Sequence, residues 1–295
     1  MYEAEPAAAR STAVEHIREI EAGDRFEFGE NWSRFLTLID ADRILQAEHS
    51  LSAMLGFSLA GKSFLDVGSG SGLFSLAARR LGARVRSFDY DPKSVACTRE
   101  LRRRFFNDDP LWTVEQASAL DSNYLSSLGK FDVVYSWGVL HHTGAMWQAL
   151  ENVAALVAEG GTLFIAIYND QGKFSRRWTR VKRFYNRSSK PMKHLCALAV
   201  CVVSWWRPWL KDFLHLRPLE SWRNAGHARG MSAWRDVVDW VGGYPFEVGK
   251  PEAIFDFYRQ RGFVLERLRT EGANLGCNEF VFTKSERQDA AGSRG

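Results

Sequence analysis

The 295-residue sequence has little with which to hold a metal or staple itself covalently. Its four cysteines, Cys97, Cys196, Cys201 and Cys277, form no Cys-x-x-Cys pair and stand at no metal-type spacing from histidine. That excludes a zinc site and a disulfide framework, so no metal is expected and the four read as buried thiols. The start lacks the order of a secretory signal, since Met1 to Arg10 is acidic and rich in alanine. The expected place of work is the cytoplasm. Leu195 to Trp206 carries no charge, but twelve residues are too few to span a bilayer and fit a buried or interfacial helix.

The sharpest absence is local. From Gln171 to Lys211 there is no Asp or Glu, while eleven Lys and Arg fall in the same stretch. The chain's formal charge of +4 therefore divides into a basic segment and a body of −7. Whatever that segment touches is not a generic feature of the fold.

What is present begins with alternation. Lys62 to Val67 is a short apolar run followed by glycines, then Leu73, Phe74, Leu76, Ala77 and Leu81 at helical spacing. The pattern repeats as strand Arg84–Phe88, helix Pro92–Phe106, strand Leu111–Glu115, strand Phe131–Ser136, helix Met146–Val157 and strand Gly161–Tyr168. Near-continuous apolar strands alternating with helices predict an α/β fold, Rossmann-like, with a mostly parallel sheet covered by helices on both faces. Residues 1–60 read as an N-terminal helical cap and 61–170 as the core. Residues 171–245 form a basic, aromatic helical insertion, 246–284 complete the sheet, and 285–295 are a polar tail expected to be disordered.

At the end of the first strand stands Asp66-Val-Gly68-Ser69-Gly70-Ser-Gly72. Glycines there let the backbone approach a ligand and turn into a helix. The loop is Gly-x-Gly-x-Gly, with a carboxylate two residues before its first glycine. A dinucleotide pyrophosphate would meet that carboxylate as a like charge, which argues against a nicotinamide oxidoreductase. S-adenosylmethionine (SAM), with a sulfonium and an ammonium, would be attracted. Asp89 ends the second strand about 20 residues on, where an acid accepts ribose hydroxyl protons.

In the succession LDVGSGSG, SFDYDP, EQASALD, FDVVYSWGVLHHT and EGGTLFIAIYN the chain resembles the class I SAM-dependent methyltransferases, and within them the ubiquinone O-methyltransferase-like enzymes of small molecules. The resemblance covers about residues 61–170 and 250–284. It implies a seven-stranded sheet with an antiparallel last strand, and SAM as cofactor. By position it implies Asp66, Gly68, Ser69, Gly70 and Gly72 at the methionyl part, Asp89 at the ribose and Tyr90 at the adenine face. Ser118 and Ala119 fall at the adenine edge and Trp137 beside the cofactor. Ser118 stands where the family often has Asp.

The acceptor must lose a proton as its oxygen takes the methyl. His141 and His142 follow the fourth strand at its carboxyl end, and imidazole titrates in the useful range, so either is a candidate base. Tyr168 and Asn169 after the fifth strand are candidate substrate residues. So are Trp32 and Arg34, in a stretch (Phe28 to Phe35) that reads as a lid over the site or as a helix packed on the core.

In the insertion, Phe174, Trp178, Val181, Phe184 and Tyr185 fall at helical spacing among basic residues, and tryptophans follow. That suits a cap over the acceptor, a peripheral contact with the inner face of a membrane, or a tunnel for a lipid-linked acceptor. The leading expectation is O-methylation of a small, possibly lipid-linked hydroxyl compound. The alternatives are a tRNA or other nucleic-acid methyltransferase using the basic insertion, and a non-catalytic SAM-binding, membrane-associated protein.

Overall fold

The computed structural model describes residues 7–107, 109–215, 217, 220–223, 233–272 and 276–286. Most of the tail, the first six residues and residues 224–232 lie outside them.

Helices α1 (Ala7–Glu21), α2 (Gly29–Phe35) and α3 (Ala41–Leu55) precede the sheet. The core alternates β1 (Ser63–Val67), α4 (Leu73–Arg80), β2 (Arg84–Asp89), α5 (Pro92–Phe106), β3 (Trp112–Gln116), α6 (Ser122–Ser127), β4 (Phe131–Trp137), α7 (Met146–Ala155) and β5 (Val157–Tyr168). Helices α8 (Lys173–Arg187), α9 (Lys190–Leu214) and α10 (Ala233–Gly242) intervene before α11 (Pro251–Arg259), β6 (Phe263–Arg269) and β7 (Cys277–Lys284).

The seven strands form one sheet in the order β3-β2-β1-β4-β5-β7-β6. All pairings are parallel except those of β7, which runs antiparallel to both β5 and β6. The expected sheet and its antiparallel last strand are both found.

Two cores explain why the strands are apolar throughout. Successive side chains of a strand point to opposite faces. Phe64, Val133, Tyr135 and Phe164 therefore pack with α3, α4 and α5, while Leu65, Val67, Val134 and Ile165 pack with α7 and α11. Burying such side chains stabilises the fold by about 1.5–3 kcal/mol each before entropy is counted.

Local chemistry sets the helix ends. Asp91 accepts the Lys93 N–H and Pro92 opens α5 with its φ already suitable. Asp121 caps α6 by taking the N–H groups of Asn123 and Tyr124. Six residues with one buried leucine carry no readable period, which is why that helix was not expected. The thiols are less uniform than expected, Cys97 and Cys201 being buried and Cys196 and Cys277 half-buried.

Candidate active site

The glycine loop turns at the carboxyl ends of β1 and β2. Gly68 and Ser69 donate their N–H groups to the Phe88 carbonyl, which ties the loop to the neighbouring strand. Gly68, Gly70 and Gly72 all have positive φ, and a side chain at Gly68 would meet Val139 Cγ1 at 2.3 Å. The loop thus needs glycine for both conformation and room.

Asp66 lies beneath the loop, 2% exposed, and accepts the Ser75 hydroxyl of α4 at 2.5 Å. Asp89 accepts Gly70 N–H at 2.8 Å and Asp91 N–H at 2.9 Å. Burial pushes both carboxyls up to about 7, with Asp89 adding to the effect on Asp66 and Asp91 to that on Asp89. Two desolvated carboxyls of this kind at one loop are suited to a cation, and a sulfonium with an ammonium supplies one. The donor set and the Cβ-free cradle fit SAM, whose ribose hydroxyls would fall to Asp89.

The N-terminal helices cover this end of the sheet. Gly29 N–H donates to Asp91 Oδ2 at 2.7 Å, and a Cβ on Gly29 would meet that carboxylate at 2.5 Å. Trp32 lies against Gly70, its Cε2 3.2 Å from where a Cβ would be. Asn31 donates to Asp239 of α10. Arg25 donates to the His142 carbonyl at 3.0 Å and lies 4.6 Å over the Tyr90 ring, which also meets His16 at 5.2 Å, ring to ring, and hydrogen-bonds Glu19. The Phe28 to Phe35 stretch is therefore a bridge joining the cofactor loop, the acid loop and the insertion. The Arg34 side chain lies outside the described residues.

His141 and His142 follow β4 and are buried. His142 Nδ1 meets the Pro245 carbonyl at 2.6 Å, so Nδ1 carries the proton and Nε2 keeps its lone pair. His141 Nδ1 lies 3.3 Å from Tyr168 N and the ring also meets the Ala166 backbone, while its Nε2 is buried with no hydrogen-bond partner. Burial lowers the pKa of His142 to about 3 and that of His141 well below the usual histidine range. Both are neutral at physiological pH.

The Tyr168 ring stands 4.1 Å from His141, 5.5 Å from His142, 5.2 Å from Phe246 and 5.8 Å from Trp240. Phe28 closes on His142 at 4.9 Å. These rings gather the histidine pair, Tyr168, the bridge and the insertion into one aromatic wall.

The other expected positions are dispersed. Ser118 Oγ accepts Leu120 N–H at 3.1 Å in a local turn, and Ala119 is buried, its carbonyl held by Asn152. Trp137 is 45% exposed, its Nε1 donating to Glu279. Asn169 is buried, its amide bridging the Gly272 carbonyl and Asn278.

Sequence reading missed Asp91, Arg25, Asp239, Trp240, Phe246 and Lys182. Lys182 is one of the eleven basic residues of the insertion, yet it is fully buried. Its signal was there, since it stands four residues after Trp178 and three before Tyr185, on the face that turns inward.

An α/β sheet of this order, with a glycine turn and acids at the ends of β1 and β2, is the Rossmann-like methyltransferase fold. Residues 39–234 match the family model described as a methyltransferase domain, and the chain belongs to that family. It is a SAM-dependent methyltransferase.

Among curated proteins, the ubiquinone biosynthesis O-methyltransferase of Xanthomonas campestris pv. campestris is 34% identical over 114 residues, 38% of this chain and 45% of that protein. Its counterpart from Escherichia coli is 32% identical over 117 residues, 39% and 46% of the two chains. The match spans less than half the length of these relatives. Magnesium protoporphyrin IX methyltransferase from Synechocystis PCC 6803, solved with S-adenosylhomocysteine (SAH) bound, is similar in fold, with a TM-score of 0.50 at 18% identity over 93% of this chain and 95% of that one. An O-methyltransferase family protein from Burkholderia thailandensis also has a TM-score of 0.50, at 13% identity over 83% and 58%.

Proposed function

We propose that the protein moves the methyl group of SAM to the hydroxyl oxygen of a small, lipid-linked acceptor. When bound, SAM supplies a methyl on a cationic sulfur that departs as a neutral thioether. Asp66, Asp89 and the glycine loop hold the donor. His142 Nε2 accepts the hydrogen bond of the acceptor's hydroxyl and aims its oxygen, a lone pair of which forms the new bond to carbon as the carbon–sulfur bond breaks; with the His142 pKa lowered to about 3, the proton passes on to solvent.

The observation that carries this reading is the His142 tautomer. The 2.6 Å bond from Nδ1 to the Pro245 carbonyl leaves Nε2 as an acceptor beside an aromatic wall. The relatives named for O-methyl transfer support oxygen as the receiving atom.

The lipid link rests on α9. Leu195, Leu198, Val202, Trp206, Leu210 and Phe213 repeat every three or four residues along one exposed face. Lys193, Arg207 and Lys211 accompany them, as an interfacial helix beside anionic lipid requires. Among the described residues no helix is long and apolar enough to cross a membrane.

The test is methyl transfer to a prenylated catechol, read by mass spectrometry as the gain of one CH2 on oxygen. His142→Gln is expected to lower kcat by roughly 10²–10⁴-fold with SAM affinity unchanged. A methyl found on nitrogen or carbon, or full activity in the variant, would sink the reading.

A further inference from the structure

Lys182 is the charged group that methyl transfer, as described, does not use. It projects inward from α8 and is fully buried, whereas Arg176, Arg177, Arg180 and Arg183 on the same helix are exposed. An ammonium carries three N–H donors. Here one goes to the Trp240 carbonyl, and the ring faces of Trp240 at 4.1 Å and Phe246 at 4.7 Å lie beside it.

Among the described residues no carboxylate forms an ion pair with it. Asp239, the acid that acts on it from α10, is taken by Asn31 instead. Burying an ammonium with one oxygen partner is costly, and stacking on rings offsets only part of that, so burial lowers the Lys182 pKa to about 7 and an anionic partner would restore the full charge. A second unpartnered polar atom stands nearby. His141 Nε2 is buried without a partner, close enough to Lys182 for the ammonium to depress its basicity. Tyr168 joins the two, touching His141 on one side and both rings of the Lys182 cage on the other. An ammonium with one oxygen partner and an unpartnered imidazole nitrogen in a wall of flat rings match a flat ligand that brings a negatively charged oxygen.

We propose that Lys182 is the charge partner of the methyl acceptor, which is an aromatic compound carrying an anionic oxygen. The proposal rests on the methyltransferase reading above and names its substrate class. The oxygen belongs either to a ring carboxylate or to the ionised hydroxyl itself. In both cases the ammonium gains the oxygen partner it lacks and the ring lies against Tyr168, Trp240 and Phe246.

The protein loaded with SAH is titrated with protocatechuate, with its carboxamide and with nitrocatechol, SAH affinity being measured separately. For a ring carboxylate, protocatechuate binds the wild type roughly tenfold or more tightly than the carboxamide, and Lys182→Met abolishes that preference. For an ionised hydroxyl, nitrocatechol at a pH low enough to keep it neutral in free solution shows its phenolate absorbance on binding to the wild type and not to Lys182→Met. SAH affinity stays the same in either case.

The proposal is overturned if the wild type shows neither the preference nor the ionisation, or if Lys182→Met retains whichever is seen. The wild-type arms alone can overturn it should the variant fail to fold. Failure of the wild type to bind SAH would instead overturn the methyltransferase reading, and this proposal with it.

Discussion

Asp66 and Asp89 make cofactor affinity a function of pH. Their carboxyls are raised from 3.8 to about 7, so below neutrality they hold protons and cease to attract a cation. SAM is expected to bind roughly tenfold more tightly at pH 8 than at pH 6, with protons released on binding at pH 7, as calorimetry in buffers of different ionisation heat would read. The sign for stability is opposite. A raised folded-state pKa means the folded chain binds more protons than the unfolded one. The contribution is complete below pH about 4 and lost as pH rises through about 7. Asp89→Asn should flatten that fall in thermal scans of the ligand-free protein. It should also cost roughly 10–100-fold in SAM affinity, since an amide accepts ribose hydroxyls less well and brings no charge.

At the scale of the element, the turn after β1 depends on glycine for two separable reasons. Gly68 and Gly129 have nearly equal φ, 80° and 78°, but a Cβ on Gly68 strikes Val139 while one on Gly129 meets nothing within 4 Å. Gly129→Ala should cost only the backbone strain, about 1 kcal/mol. Gly68→Ala should cost that plus overpacking, another 1–3 kcal/mol or so, and weaken SAM binding as well. Equal losses in denaturant melts would refute the packing argument. The bridge α2 shows how elements far apart in sequence make one site. Its Gly29, Asn31 and Trp32 touch the acid loop, α10 and the glycine loop in turn. Hydrogen exchange at Gly29–Phe35 should slow when SAH is bound, because the ligand fills the space beneath this helix. Unchanged exchange would mean that α2 is only packing.

For the whole molecule, the uneven charge becomes a surface. The outward face of α8 presents Lys173, Arg176, Arg177, Arg180, Arg183 and Arg187 beside the apolar row of α9. Phosphatidylglycerol vesicles should take the protein down in flotation assays at low salt and release it at high salt. Val203→Glu with Phe213→Glu, at side chains 73% and 72% exposed, should abolish that binding and leave methyl transfer to a water-soluble acceptor unchanged. Binding to RNA in place of vesicles, steeply dependent on salt, would favour the nucleic-acid alternative.

Most of the sheet was legible because its signals are local: apolar strands, Pro92 at the first turn of a helix, and glycines where the backbone must turn. The cofactor loop was legible for the same reason, its carboxylates being fixed by position on two strands. The sequence by itself thus determined the α/β core, the glycine turn and the two acids. Only the tertiary structure decided which way Lys182 points, that Gly29 meets Asp91, and which nitrogen of His142 keeps its lone pair. Those outcomes depend on partners such as Asp91 for Gly29, Pro245 for His142 and Trp240 for Lys182, far away along the chain. A residue's spacing reveals its face on a helix, but the partner waiting on that face is set only when the helices pack.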